Sequence, residues 1–206
     1  MSDVQDLLRR LVAATCQSDV PFMIAGSFAS MAHGLPRTTQ DLDVVIDPPD
    51  EAALGALVTA LLADEFNVDP DAAREAMQRR SMFNAIDRSA WKIDFILRKA
   101  RSFSMEEFAR RTAVQILGVP VFIASAEDTI IAKLEWSKLS GGSERQHRDV
   151  AGVLETMKTE LDRDYIERGF GSSDSSPNGK RNVTSRRTKR PRIAARPFRY
   201  LAECRG

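Results

Sequence analysis

The first apolar residues, Val4, Leu7, Leu8, Leu11 and Val12, recur at three- and four-residue spacing and predict one packing helix over 3–15, headed by Ser2 or Asp3. Pro21-Phe22-Met23-Ile24-Ala25 then predicts a short buried strand that stops at Gly26-Ser27, and Phe28-Ala29-Ser30-Met31-Ala32-His33 a short helix closed by Gly34-Leu35-Pro36. The next run, Asp41-Leu42-Asp43-Val44-Val45-Ile46, alternates polar with apolar at its start and is rich in β-branched residues. It is a strand that turns Leu42 and Val44 into the core and sets both carboxylates on the opposite face.

Downstream, Pro48-Pro49-Asp50 interrupts that strand and opens a helix with a stripe of Leu54, Leu57, Val58, Leu61 and Leu62, and Asp69-Pro70-Asp71 opens a shorter one. A strand over 80–86 leads through Asp87-Arg88-Ser89 into a cleanly alternating strand. There Trp91, Ile93, Phe95 and Leu97 face one way and Lys92 and Asp94 the other. A helix over 103–111 and two brief strands around Gly118 follow. Ser125 then caps a long helix with Ile130, Ile131 and Leu134 toward the core and Lys133, Trp136 and Ser140 on another flank. Past the joint at Gly141-Gly142 a last helical stretch runs to residue 168, and periodicity stops at Gly169.

This pattern places chemistry at one point. Side chains two apart on a strand sit roughly 7 Å apart at the backbone, so Asp41 and Asp43 can converge on one cation or bracket a pair. Left unpaired they repel, and one holds its proton; Mg²⁺ removes that cost with hard-oxygen coordination that leaves room for phosphate. Just upstream, Gly26 lets backbone approach a ligand closely, the following helix offers free N–H groups to phosphate oxygens, and Ser27 adds a hydroxyl. Asp94 lies on the open face of its strand; on spacing alone this fits a solvated edge position as well as a ligand.

Gly26-Ser27, thirteen intervening residues and then Asp41-Leu42-Asp43 on a strand resemble the signature of the DNA polymerase β-like nucleotidyltransferase superfamily. Within it, GSFASMAHGLPRTTQDLDVVID is most similar to the minimal bacterial nucleotidyltransferases of the abortive-infection (AbiEii-like) toxin type, and the likeness covers roughly residues 20–149. The resemblance implies an α/β (α+β) nucleotidyltransferase fold: a small mixed β-sheet flanked by helices, with a helical C-terminal part. It implies two Mg²⁺ ions held by Asp41, Asp43 and Asp94, the last of these orienting or deprotonating the acceptor hydroxyl. It assigns the triphosphate to Gly26, Ser27, Arg37, Thr39 and Lys133, although most helix lysines are solvated. Arg145 and Asp149 match an Arg-x-x-x-Asp pair of the family, for which a surface ion pair one helical turn apart is the simpler account. His33 and His147 lack a second ligand at metal spacing and read as packing or surface residues.

Composition refines this picture without redirecting it. With 206 residues, 43% of them hydrophobic, the chain can bury one core. Nothing in it resembles a signal peptide or an eighteen-residue apolar span, so the expectation is a cytoplasmic protein without membrane contact. The net charge of +1 is unevenly spread. Beyond residue 168 ten Lys and Arg face two Asp and Glu, a balance of +8, which leaves 20 against 27, or −7, before it. The expected organisation is a nucleotidyltransferase core over 1–140, a C-terminal helix over 141–168 and a basic, disordered tail over 169–206 that is either an RNA-binding arm or a solvated terminus.

Two functions of different class follow. One is an Mg²⁺-dependent enzyme that moves a nucleoside monophosphate from a nucleoside triphosphate to a hydroxyl on RNA, protein or a small molecule, for instance as the toxin of a toxin-antitoxin pair. The other is a non-catalytic protein of the same fold that binds an antitoxin partner without turnover. The presence of Asp41, Asp43 and Asp94 together favours the enzyme.

Overall fold

A computed structural model describes residues 3–172. In chain order its elements are α1 (Asp3–Gln17), β1 (Phe22–Ile24), α2 (Gly26–His33), β2 (Asp41–Ile46), α3 (Glu51–Ala63), β3 (Asn67–Val68), α4 (Pro70–Arg79), β4 (Met82–Ile86) and β5 (Lys92–Leu97). They continue with α5 (Ser102–Ala109), β6 (Thr112–Ile116), β7 (Val119–Ile123), α6 (Ala126–Leu139), α7 (Glu144–Met157) and α8 (Arg163–Ser172). Local chemistry sets several helix starts. Asp50, Asp69, Ser125 and Ser143 each accept a backbone N–H of the first turn, and Pro70 adds its fixed φ at the head of α4.

The strands form one sheet in the order β3-β4-β5-β2-β1-β7-β6. β2 runs parallel to β5 and β1 parallel to β7, and the other neighbours are antiparallel. Alternation divides its residues between two faces. Phe22, Ile24, Leu42, Val44, Ile46, Ile93, Phe95 and Leu97 enter the main core, with the leucines of α1 and α3. Met23 turns the other way to meet Ala29 of α2 and Phe108 of α5. That second face is covered by helices over β1, while β2, β5 and β4 present Asp43, Asp94 and Asn84 there in register. This α/β arrangement of a mixed sheet flanked by helices is the one expected from the sequence.

Two details differ from expectation, and one position that spacing left open is decided between its alternatives. β5 is not an edge: it lies between β4 and β2, so Asp94 is nearly buried rather than solvated. β3 has two residues, too few to show a period. The stretch expected as one helix over 141–168 holds two, and α8 continues through Gly169 to Ser172. α7 packs on α6 around Ala126, Ile130, Val150, Val153 and Leu161. α8 is tied down by Tyr165, whose hydroxyl donates to Asp128 at 2.6 Å, and a Cβ at Gly169 would meet Ile131 Cδ1 at 2.5 Å. The expected tail beyond residue 172 lies outside the described residues. Among the described residues no helix is long and apolar enough to cross a membrane.

Candidate functional site

The site grows from the junction of β1, α2 and β2. Ala25 N–H donates to Asp43 O at 2.9 Å, which fixes the end of β1 against β2. Gly26 then turns the chain with φ +56°, a left-handed value that glycine adopts without Cβ strain. Its α-carbon lies so close to the Asp43 carboxylate that a Cβ would sit 1.8 Å from Oδ2. α2 has no side-chain cap of its own. The Asp43 carboxylate lies instead against Gly26 at the positive end of the helix, where the Ser27 N–H favours its charged form.

Asp43 and Asp94 are register partners on the parallel strands β2 and β5, and Asp41 is opposite Lys92 one step away. Burial, followed by the charge of Asp94, pushes the Asp43 carboxyl above the usual carboxylate range. Ser27 N–H and Lys133 pull against this shift, and Asp41 adds to it. Asp94 is held by one donor across the sheet and one from its own strand. Asn84 Nδ2 donates to Oδ1, and Lys92 Nζ lies 2.9 Å from Oδ1 and 3.0 Å from Oδ2.

Near the carboxylates, α6 and the segment before β2 supply two cations, and α7 the acceptors that hold them. Lys133 is buried, against the ordinary expectation for a helix lysine, and donates to Asp149 Oδ2 at 2.7 Å and Gln146 Oε1 at 3.0 Å. Arg37, in the segment between α2 and β2, donates to Asp149 through Nε at 3.2 Å and Nη2 at 3.4 Å, and Nη2 also donates to Ser27 Oγ. Asp149 therefore pairs with Lys133 and Arg37 rather than with exposed Arg145 one turn back. Burial works to raise the Asp149 carboxyl, but the hydrogen bond and charge of Lys133 together with Arg37 outweigh it and hold it below its ordinary value.

The structure thus brings Gly26, Ser27, Asp43, Asp94, Arg37 and Lys133 to one face. Asp41 lies at the exposed head of β2, and Thr39 Oγ1 accepts Asp41 N–H at 3.3 Å at the rim. His33 Nε2 meets Ala124 O at 2.8 Å in a half-buried position, and His147 Nε2 meets Ser137 Oγ at 2.9 Å on the surface. Asn84 had no sequence signal. Lys92 had only its place in the alternation, and Asp149 was visible but assigned a different partner.

Asp41, Asp43 and Asp94 offer hard oxygens, and the raised carboxyl of Asp43 records a surplus of negative charge, so in kind this donor set fits a divalent cation such as Mg²⁺. Yet among the described residues no three His, Cys, Asp or Glu side chains stand together at metal-holding spacing. Here Asp43 is drawn to the head of α2 and Asp94 to Lys92 and Asn84, so protein donors balance the charge.

No family model and no curated protein matches the chain. Solved structures share its fold, two of one protein among them. The solution structure of the antibiotic-resistance factor ANT(2'')-Ia aligns with a TM-score of 0.54 over 84% of this chain and 92% of that one, at 18% identity. The crystal structure of ANT(2'')-Ia in complex with adenylyl-2''-tobramycin aligns with a TM-score of 0.56 over 83% and 97%, at 16% identity.

Proposed function

We propose that the chain is a nucleotidyltransferase that moves a nucleoside monophosphate from a nucleoside triphosphate to a hydroxyl. The observation that carries this reading is the pairing of Asp43 and Asp94 on adjacent parallel strands, directly before a helix N-terminus that Gly26 leaves open. In this reading the triphosphate replaces the Asp43 carboxylate as acceptor for the N–H groups of α2, and Ser27 Oγ donates to it. Arg37 and Lys133 neutralise its outer phosphates, and Thr39 lines the rim. Asp41, Asp43 and Asp94 hold Mg²⁺, as two ions; bound there, the metal supplies charge stabilisation for the phosphoryl oxygens and the departing pyrophosphate.

Asp94 takes the proton of the acceptor hydroxyl. The acceptor oxygen bonds to the α-phosphorus as the bond from that phosphorus to the β-bridging oxygen breaks, and pyrophosphate leaves.

For the acceptor we infer a small hydroxyl compound. The similar ANT(2'')-Ia is seen with adenylyl-2''-tobramycin, a nucleotidylated small molecule. Residues 1–168 carry −7, a poor surface for a polyanion whose binding rests on Lys and Arg contacts. A role as an abortive-infection toxin, with an antitoxin partner in the cytoplasm, rests on the motif at residues 26–47 alone.

The test is incubation of the full chain with α-labelled nucleoside triphosphates, Mg²⁺ and panels of small hydroxyl compounds and of tRNA, reading pyrophosphate release and label transfer. Transfer that is lost in Asp43→Asn supports the reading. Absence of pyrophosphate release with every acceptor overturns it and leaves the non-catalytic partner role in front.

A further inference from the structure

Both oxygens of Asp94 already have partners in the protein. Lys92 Nζ approaches Oδ1 at 2.9 Å and Oδ2 at 3.0 Å, and Asn84 Nδ2 donates to Oδ1. A carboxylate has about four lone-pair sites, so three contacts leave it little capacity for another ligand. The two donors differ in freedom. Asn84 is a short amide fixed by its register opposite Asp94 on β4. Lys92 is a flexible four-carbon stem, 43% exposed, while the Asp94 side chain is 12% exposed.

We propose that Lys92 is an internal counter-cation that occupies Asp94 in the resting protein and swings into solvent when a divalent cation binds, while Asn84 keeps the carboxylate aimed. This rests on the nucleotidyl-transfer reading. Lys92 and Asp94 are two apart on β5 and share one sheet face, so the ammonium needs only rotations of its own stem to leave. Departure restores water to an ammonium that is strongly hydrated, whereas departure of Asp94 would break a central strand's packing. Lys92 is thus a positioning residue: it keeps two neighbouring carboxylates from repelling each other while the site is idle and sets the cation concentration at which the site switches on.

Mn²⁺ binding, read by loss of the free-ion electron paramagnetic resonance signal without nucleotide, tests this independently of turnover. Lys92→Met should tighten binding about fivefold, the scale set by removing a partly exposed ion pair. Lys92→Gln should tighten it likewise, and Lys92→Arg, which keeps a charge that can grip both oxygens, should not. Melting curves identify variants that fold. If the wild type binds Mn²⁺ and Asp43→Asn abolishes binding, but folded Lys92→Met and Lys92→Gln bind no more tightly than wild type, the Lys92 inference fails and nucleotidyl transfer stands. If no form binds Mn²⁺, with or without a nucleoside triphosphate, both fail together.

Discussion

Gly26 and Asp43 occupy one space: a Cβ on residue 26 would overlap Asp43 Oδ2 at 1.8 Å, and the backbone there has φ +56°. Any other residue must strain the turn and also expel the carboxylate from the head of α2. Gly118 provides the control, because it too has positive φ, at +75°, but no atom within 4 Å of its Cβ position. Gly118→Ala should therefore cost only backbone strain, about 1–2 kcal/mol. Gly26→Ala should cost more and also abolish nucleoside triphosphate binding. Thermal melting and a fluorescent-nucleotide titration of the two variants check this; equal losses of binding would refute the close-approach role of Gly26.

Such a relationship shows where sequence stops being informative. β2 matches its expected bounds, Asp41–Ile46, and α6 starts after Ser125, because alternation and capping are local signals. Gly26, Ser27, Asp41, Asp43 and Asp94 could be singled out because their spacing resembles a known motif. Asn84 could not, since its bond to Asp94, ten positions on, depends on the β4–β5 register, which the intervening turn decides. Lys133 was ambiguous because helical position says which flank a lysine takes, while burial depends on α7 packing across that flank. Asp149 has Arg145 one turn away in sequence, but its partners come from α6 and the segment before β2.

Asn84 gives a prediction about rate rather than affinity. Its amide orients Asp94 from β4 and touches no part of the Ser27, Arg37 and Lys133 cluster. Asn84→Ala should lower kcat about tenfold, a loss of the size expected for one hydrogen bond to a charged group. KM for the nucleoside triphosphate should stay within about twofold by the same reasoning. A rise in KM with unchanged kcat would assign Asn84 to nucleotide binding instead.

Away from the site, Glu107 on α5 sets a pH dependence of stability. It is buried, and burial, then the charge of Asp128, with Glu135 adding and Arg101 opposing, pushes its carboxyl up to about 8 from 4.5. The folded state therefore holds a proton that the unfolded chain releases, so stability falls as pH rises between about 4.5 and 8 and then levels. Glu107→Gln removes that proton exchange. Its melting temperature should exceed the wild type's at pH 8, and the difference should shrink toward pH 5. A constant difference across this range would remove Glu107 as the source.

In the proposed reading, the Asp149 carboxylate joins the nucleotide chemistry to the stability of the C-terminal helices. It accepts from Lys133 and Arg37, and the Lys133 and Asp149 side chains are 7% and 8% exposed, so Asp149→Asn strands a buried ammonium with only Gln146 as strong acceptor. Breaking such a pair costs about 3–5 kcal/mol. Because the Asp149 carboxyl is held below its ordinary 3.8, the pair's contribution is fully present above that value and is lost as pH falls through the lower, folded one. Wild type should thus lose stability on acidification below about pH 4, and Asp149→Asn should lose less over the same window. Function should respond separately. With their anchor gone, Lys133 and Arg37 would no longer be held where the proposed function puts the triphosphate, and KM for the nucleotide should rise about tenfold, equivalent to about 1.4 kcal/mol of lost preorganisation. A Lys133→Met/Asp149→Asn double variant separates the two roles. It removes the stranded charge and should recover part of the melting temperature, yet it should bind triphosphate worse than either single variant. Recovery of binding along with stability would mean that Asp149 acts on the fold alone.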